Sequence, residues 1–165
     1  GFATQHSVPQ KIVYPYFYRD TIERYAKEYG VDPLLVVSVI REESKFIPIS
    51  VSHKGAQGLM QLMPETASWI AAKLGDSSYS LESLRHPEKN IQYGTWYLAN
   101  LKKEFDDVAL IIAAYNGGIG RVKEWLETGK IKSDRFQIED IPYEEAREYV
   151  AKVLKSYEKY QALYR

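Results

Sequence analysis

Apolar residues recur along most of the chain at the three- and four-residue spacing of amphipathic helices, with Pro and Gly where helices commonly begin and end. No segment has the strict alternation of apolar and polar residues that is typical of a half-buried strand. The pattern predicts helices at about 20–30, 33–44, 64–74, 87–105, 107–115, 121–128 and 142–164. We therefore expect an all-α fold.

The predicted helix at 33–44 differs from the others because it is apolar on nearly all sides. Asp32 is suited to cap its first turn, and Pro33 stands where a helix needs no N–H donor. An almost unbroken run of Leu, Val and Ile follows, which indicates a buried helix. The preceding helix is predicted to begin near Asp20, because Asp20 and Glu23 have the spacing of a capping box.

Tyrosine is unusually frequent, with 14 among the 165 residues. Tyr14, Tyr16 and Tyr18 alternate in a segment that contains two prolines, so we expect residues 1–17 to form an extended arm that packs on a domain of residues 18–165. Four further tyrosines follow helical spacing near the C-terminus and are interpreted as packing residues: Tyr149, Tyr157, Tyr160 and Tyr164.

Residues 45–63 form a long segment, rich in Pro, Ser and Gly, between two predicted helices. Connections in compact domains are usually much shorter, and long ones often carry function. We therefore expect a functional loop. Gly55 and Gly58 are suited to tight turns, while Met60 and Met63 fit either the core or the lining of a groove.

Length, charge and cysteine content exclude several classes of protein. A chain of 165 residues suffices for one hydrophobic core and makes a second full domain unexpected. The 22 basic and 22 acidic residues balance, which argues against nucleic acid as a partner. The chain has no cysteine, and His6, His53 and His86 are too scattered for a metal motif. No apolar run approaches the ~20 residues of a membrane span.

Two adjacent carboxylates, Glu42 and Glu43, end the predicted buried helix. Helical geometry places Glu43 on the aliphatic face of the preceding turn, and the helix C-terminus disfavours a negative charge. Both effects raise the pKa of a carboxyl group above its usual value of about 4.3. A glutamate protonated near neutral pH is suited to protonate a leaving alcohol, as cleavage of a glycosidic bond requires. Alternatively, Glu43 pairs with Arg41 or Lys45 on a solvated helix end.

Four segments occur in a characteristic order: E-S at 43–44, G-A-Q-G-L-M-Q-L-M-P at 55–64, A-A-Y-N-G-G at 113–118 and I-P-Y-E-E-A-R-E-Y-V at 141–150. Together they resemble the soluble lytic transglycosylase family, enzymes with a goose-type-lysozyme-like fold that cleave bacterial peptidoglycan. The resemblance extends over nearly the whole chain, from about residue 18 to residue 157. It implies a single compact lysozyme-like helical domain with a glycan-binding cleft.

The resemblance also implies roles for individual residues. Glu43 corresponds to the single catalytic acid, which then acts as base, and Ser52 to a residue near this acid and the sugar N-acetyl group. Tyr115 corresponds to a tyrosine that hydrogen-bonds toward the catalytic carboxyl group, with Asn116 beside it on the substrate side. Tyr143 fits either the cleft or a purely structural role. The remaining positions implied to line the glycan cleft are Gln61, Met63 and Glu145.

The implied reaction cleaves the bond between N-acetylmuramic acid and N-acetylglucosamine without water. The primary hydroxyl group of the muramic sugar attacks its own anomeric carbon, which leaves an anhydro-muramic acid end. This chemistry needs no cofactor, and the sequence shows neither a metal site nor a phosphate-binding loop. Because peptidoglycan lies outside the cytoplasmic membrane, we expect an exported protein, in the periplasm or on the cell-wall side, with a signal or membrane anchor upstream of Gly1.

Two alternatives to this reaction remain open at the level of sequence. A hydrolytic lysozyme acts on the same substrate with the same acid and a recruited water molecule, and the second carboxylate that this needs can be any other acidic residue. A non-catalytic glycan-binding module keeps the cleft without the reaction. The presence of Glu43, Tyr115 and Glu145 argues against the second alternative.

Overall fold

The computed structural model describes residues 8–132, 134 and 136–165, and in these residues the chain forms eight α-helices. They are α1 (Gln10–Val13), α2 (Arg19–Tyr29), α3 (Pro33–Ser44), α4 (Pro64–Leu74), α5 (Pro87–Glu104), α6 (Val108–Gly117), α7 (Ile119–Glu127) and α8 (Glu144–Tyr164). Short 3₁₀ helices at Leu81–Arg85 and Ile138–Asp140 precede α5 and α8. The all-α prediction is confirmed.

Helix α3 is the buried helix that the sequence predicts. It packs against α2, α5 and α8, and its residues from Leu34 to Ile40 are all buried. Asp32 caps it by accepting a hydrogen bond from the Leu34 N–H at 2.9 Å. Directly after the helix, Lys45 and Phe46 both adopt the left-handed backbone conformation, with φ of 51° and 64°. Residues other than glycine rarely adopt this conformation, and here it turns the chain sharply at the end of α3.

The remaining predicted helices agree with the structure to within a few residues, but the start of α2 differs in its capping. Tyr18, in the left-handed conformation, precedes α2, and no side chain caps the first turn. The Glu23 carboxylate accepts a hydrogen bond from Arg19 Nε at 3.1 Å instead. The predicted capping box of Asp20 and Glu23 is therefore wrong, because a neighbouring arginine takes the carboxylate. None of the described helices has the length and apolarity needed to span a membrane.

The N-terminal segment packs on α8. Residues 1–7 of the predicted extended arm lie outside the described residues, and Gln10–Val13 forms a helical turn where extended chain was expected. The Tyr14 side chain is buried, and the hydroxyl groups of Tyr160 and Tyr164 donate to main-chain carbonyls of this segment at 2.6 and 2.8 Å. For Tyr160 and Tyr164 the packing interpretation is confirmed.

One buried side chain, Asn90 of α5, fastens the long loop between α3 and α4. Its amide group donates to the carbonyls of Gln57 and Leu84, both at 2.9 Å, and its oxygen accepts the Met60 N–H at 2.7 Å. Gly58 is needed at this contact because its φ is +76° and an added Cβ would lie 2.2 Å from the Asn90 amide nitrogen. The second half of the long loop is therefore held on the helical framework.

Candidate active site

A cleft of about 910 Å³ lies between the long loop, the end of α6 and the start of α8. Its volume is in the range of ligand-binding pockets. All eight residues selected from the sequence line this one cleft: Glu43, Ser52, Gln61, Met63, Tyr115, Asn116, Tyr143 and Glu145. Six other polar or aromatic side chains in the lining were not predicted from the sequence: His53, Lys54, Thr66, Tyr97, Arg121 and Glu144.

Glu43 carries the carboxyl group whose environment is most unusual. Burial raises its pKa to about 7, against the effect of a hydrogen bond from Tyr149, and the negative charge of Glu42 adds to the increase. The direction agrees with the expectation from sequence. A carboxyl group with this pKa is about half protonated at neutral pH, so it can act first as an acid and then as a base.

The neighbouring Glu42 takes the cations that the alternative interpretation assigned to Glu43. Arg41 Nη1 lies 2.6 Å from one Glu42 oxygen and Lys45 Nζ lies 3.3 Å from the other. The Ser156 hydroxyl on α8 donates a further hydrogen bond to Glu42. Burial alone raises the pKa of Glu42, but the hydrogen bonds from Ser156 and Arg41 and the two positive charges lower it overall. The ion-paired helix end is thus Glu42, and Glu43 points into the cleft.

Tyr149 of α8 makes the hydrogen bond to the candidate catalytic group. Its hydroxyl donates to Glu43 Oε2 at 2.9 Å. Burial, with the negative charge of Glu43, raises the pKa of Tyr149 well above its ordinary value, so the phenol keeps its proton. The interpretation of Tyr149 as a packing residue only is therefore wrong. Helical spacing identified the buried face of α8 but not the carboxyl group that this tyrosine meets.

Tyr115 lines the cleft, but its hydroxyl has a different partner from the one expected. It donates to the main-chain carbonyl of Met60 at 2.6 Å, not to Glu43. Burial and the charge of Glu43 raise the pKa of Tyr115 well above its ordinary value. Tyr115 therefore joins α6 to the long loop at the edge of the cleft, while Tyr149 contacts the carboxyl group.

The residues of the long loop that face the cleft are shaped by bonds within the loop. The Ser52 hydroxyl accepts the Ala56 N–H at 3.0 Å. The Gln61 amide group donates to the carbonyls of Ser50 and Gly58 at 3.1 and 2.9 Å, and its backbone has a left-handed φ of 50°. Gln61 thus uses its amide protons to hold the loop.

The two methionines of the long loop have different environments. Met60 is fully buried and lies against Gly94, where an added Cβ would approach its sulfur to 2.2 Å. Met63 lines the cleft and directly precedes α4. Of the two interpretations offered by the sequence, the core therefore applies to Met60 and the groove to Met63.

Another part of the cleft lining comes from the end of α6, from α7 and from the start of α8. Tyr143 is 44% exposed, its ring packs against Trp125 with centroids 6.0 Å apart, and the Arg121 guanidinium lies 4.3 Å from the ring centroid. Glu145 is exposed in the first turn of α8, and Asn116 is exposed near the end of α6. This wall presents an aromatic ring, a cation, an amide and a carboxylate to a ligand.

The arrangement supplies one carboxyl group with an increased pKa in an open, mostly polar cleft. Such a group can protonate the oxygen of a glycosidic bond. Amide, hydroxyl and aromatic side chains along the walls suit the hydroxyl groups and flat faces of sugars. Among the described residues, no three His, Cys, Asp or Glu side chains are placed together to hold a metal ion.

The known proteins and the family model that resemble this chain are all named as transglycosylases. Residues 20–138 match the family model described as Transglycosylase SLT domain. The chain is 37% identical over 156 residues to the soluble lytic murein transglycosylase of Escherichia coli, an alignment that covers 92% of this chain and 23% of that protein. It is 34% identical to the membrane-bound lytic murein transglycosylase C of Actinobacillus pleuropneumoniae, with 87% of this chain and 45% of that protein covered.

Solved structures agree with these relatives. An inactive mutant of the lytic transglycosylase Slt from Pseudomonas aeruginosa is 35% identical, with a TM-score of 0.83 over 98% of this chain and 27% of that one. The 70-kDa soluble lytic transglycosylase of Escherichia coli is 34% identical, with a TM-score of 0.85 over 93% of this chain and 25% of that one. The chain thus spans about a quarter of the length of the soluble Escherichia coli relative and of the two solved structures. The family model matches more than half of this chain, and together with these likenesses this shows that the chain belongs to the transglycosylase SLT domain family.

Proposed function

We propose that the chain is the catalytic domain of a peptidoglycan lytic transglycosylase, which cleaves the bond between N-acetylmuramic acid and N-acetylglucosamine and forms an anhydro-muramic acid end. The observation that carries the proposal is the Glu43 carboxyl group, with a pKa of about 7, in a cleft lined by polar and aromatic side chains. The names of the relatives, lytic murein transglycosylases, support the same reaction and substrate.

The proposed reaction uses Glu43 twice. Its protonated carboxyl group gives a proton to the glycosidic oxygen as the bond from this oxygen to the anomeric carbon of the muramic sugar breaks. The primary hydroxyl group of the same sugar then attacks that carbon, and the Glu43 carboxylate takes the hydroxyl proton. Glu43 ends in its initial protonation state and no water is consumed. The attacking hydroxyl belongs to the reacting sugar, so proximity supplies what a second carboxylate provides in hydrolytic glycosidases.

The other residues of the cleft position the carboxyl group and the glycan. Tyr149, which donates to one oxygen of Glu43, leaves the other oxygen for the substrate. We assign Ser52 to the region of the acid and the sugar N-acetyl group. We assign Tyr115 to the wall of the cleft beside the acid. The glycan itself contacts residues along both walls: Gln61, Met63, Asn116, Tyr143 and Glu145.

The location follows from the substrate. Peptidoglycan lies outside the cytoplasmic membrane, so the proposed enzyme acts as an exported protein, in the periplasm or on the cell-wall side. The relatives include one named as soluble and one named as membrane-bound. A membrane anchor elsewhere in the protein is therefore compatible with the proposed activity, and glycan strands of peptidoglycan are the proposed partner.

Mass spectrometry of digested peptidoglycan tests the proposal. The wild-type chain is expected to release muropeptides that are one water lighter than those with reducing ends. The Glu43→Gln variant is expected to release none, while the matched Glu42→Gln variant still does. Reducing ends would identify a hydrolytic lysozyme instead. Glycan binding without any cleavage by the wild type would identify a non-catalytic module.

A further inference from the structure

A row of aromatic side chains leads from the cleft to the exposed surface of α4. The rings of Tyr115 and Tyr97, which both line the cleft, have centroids 5.5 Å apart. The centroid of Tyr97 lies 6.4 Å from that of Trp69, and Trp69 lies 5.4 Å from Trp96. Trp69 is 40% exposed and lies outside the cleft lining. The row thus ends on a large aromatic ring that is open to solvent.

Trp69 borders the cleft through two of its neighbours. It lies three residues after Thr66 on α4, so the two side chains share one face of the helix, and Thr66 lines the cleft. Its second neighbour in the lining is Tyr97, on α5. A ligand that fills the cleft along this side and continues outward therefore meets the Trp69 ring next.

The surroundings of Trp69 fix the orientation of its ring while leaving part of it in water. Trp96 and Tyr97 are half-buried against the core and contact the ring at interplanar angles of 66° and 81°. A ring held in this way loses little conformational freedom when it binds a ligand. Packing alone would favour burying the indole, because exposed apolar surface is unfavourable in water.

The chemistry of the position suits a sugar. A pyranose ring presents apolar C–H groups on its faces and hydroxyl groups around its rim, so its face packs on a flat aromatic ring while its rim stays hydrated. The Lys73 ammonium group lies 5.9 Å from the centroid of the Trp69 ring and offers N–H donors to the rim.

We infer that Trp69 is a further sugar-binding position, on which a pyranose ring of a long glycan strand stacks beyond the part of the strand that occupies the cleft. The inference rests on the proposed function, because its ligand is the same glycan. Its consequence is a preference for long strands over short oligosaccharides, with Trp69 as the residue that sets the preference.

Binding of peptide-free glycan strands of increasing length tests the inference. Titration calorimetry on the Glu43→Gln variant avoids cleavage, and the strands run from disaccharide to dodecasaccharide. Adding Trp69→Ala is expected to weaken binding of the longest strands about tenfold and to leave disaccharide binding unchanged. Trp69→Phe, which keeps a flat ring, is expected to restore most of the affinity. Leu81→Ala, a truncation at a 41% exposed residue outside the cleft lining, is the matched control and is expected to change neither affinity.

Two results would overturn the inference. One is that the Trp69→Ala variant and its parent bind strands of each length with the same affinity. The other is equal weakening at every length, since a purely structural effect through Thr66 and Tyr97 would act on short and long strands alike. If the wild type cleaves peptidoglycan while either result holds, the proposed function stands without this inference. A wild type that neither binds nor cleaves glycan overturns both.

Discussion

The last turn of α3 carries two adjacent glutamates whose pKa values change in opposite directions. On one side, Glu42 contacts Arg41, Lys45 and Ser156, and its pKa is lowered. On the other side, Glu43 accepts one hydrogen bond, from Tyr149, and its pKa is raised to about 7. Burial disfavours the charged form of both carboxyl groups. The difference therefore comes from the cations and hydroxyl donors that compensate burial at Glu42.

Glu42 is thus a structural carboxylate, while Glu43 has the properties of the acid in the proposed reaction. The compensated Glu42 ties the end of α3 to α8 and stabilises the fold. No cation offsets the burial of Glu43 among the contacts described, so its ionisation lowers the stability of the fold. The same penalty on the charged form raises its pKa, so the group is an acid near neutral pH. Three substitutions and the pH dependence of the wild type test this difference between the two glutamates.

Replacing the reactive carboxyl group has the largest expected effect. Glu43→Gln keeps the shape of the side chain and removes its proton, so cleavage of peptidoglycan is expected to fall by about 10³-fold or more. The folded state favours the protonated form of Glu43, so ionisation destabilises the wild type as pH rises from about 4.5 towards 7. Glu43→Gln is therefore expected to be more stable than the wild type at pH 8, by about 1–3 kcal/mol, with the difference lost near pH 4.

Activity assays and urea unfolding at the two pH values check this prediction. Unchanged activity in a folded Glu43→Gln variant would remove Glu43 from the reaction. A stability loss at pH 8 would contradict the assignment of an uncompensated buried carboxyl group.

Raising the pH is expected to have the next largest effect on the activity of the wild type. The first proton transfer of the proposed reaction needs protonated Glu43, whose pKa is about 7, so kcat/KM is expected to fall about tenfold for each pH unit above that value. Initial rates of wall-clearing between pH 5 and pH 9 measure the profile. A rate that rises steadily up to pH 9 would be incompatible with Glu43 as the acid.

Removing the hydroxyl that contacts Glu43 has an intermediate expected effect. Tyr149→Phe deletes a hydrogen bond that favours the ionised form, so the pKa of Glu43 is expected to rise further while the carboxyl group loses its orientation. We expect kcat to fall by about tenfold to a hundredfold and the alkaline limb of the pH profile to move to higher pH. The matched control is Tyr160→Phe, which removes a hydroxyl that donates to the Pro15 carbonyl at 2.6 Å. A lower rate with an unmoved pH profile would assign Tyr149 a packing role alone.

Changing the compensated carboxylate has the smallest expected effect on activity. The folded state lowers the pKa of Glu42, so its contribution to stability is present above the unfolded value and is lost as pH falls through the folded one. Glu42→Gln is expected to cost about 1–2 kcal/mol at pH 7 and progressively less as pH falls below the unfolded value of about 4.5, with peptidoglycan cleavage within a few-fold of wild type. Its pH profile is expected to move slightly to lower pH, because the negative charge beside Glu43 is gone. Loss of cleavage in a stably folded Glu42→Gln variant would erase the distinction between the two residues.

Local sequence patterns predicted most of the helices because spacing, caps and breaks are local properties. Asp32 and Pro33 mark the start of α3, and its apolar run marks its burial. The increased pKa of Glu43 was also predictable, since helix geometry places the carboxyl group over the aliphatic residues of the preceding turn.

Contacts across the fold were not predictable in the same way. Tyr149 and Tyr160 have equivalent helical spacing on α8, yet one hydroxyl meets Glu43, 106 positions away, and the other meets a carbonyl of the N-terminal segment. Spacing determines which face of a helix is buried, and tertiary packing determines what that face contacts. The hydrogen bonds between the Asn90 side chain and the main chain of the long loop were not predicted for the same reason. The residues near Asn90 in the sequence do not indicate these contacts.

The main-chain hydrogen bonds of Met60 divide the long loop into two parts that are expected to differ in their rates of hydrogen exchange. The Met60 N–H donates to Asn90 of α5, its carbonyl accepts from Tyr115 of α6, and the amides of Gln57 and Leu62 bond to each other's carbonyls. Hydrogen exchange at residues 57–62 should therefore require separation of the loop from both helices, while residues 47–55 exchange through smaller openings. A segment without regular secondary structure would then show helix-like protection. A glycan entering the cleft would meet a wall that is already in place before binding.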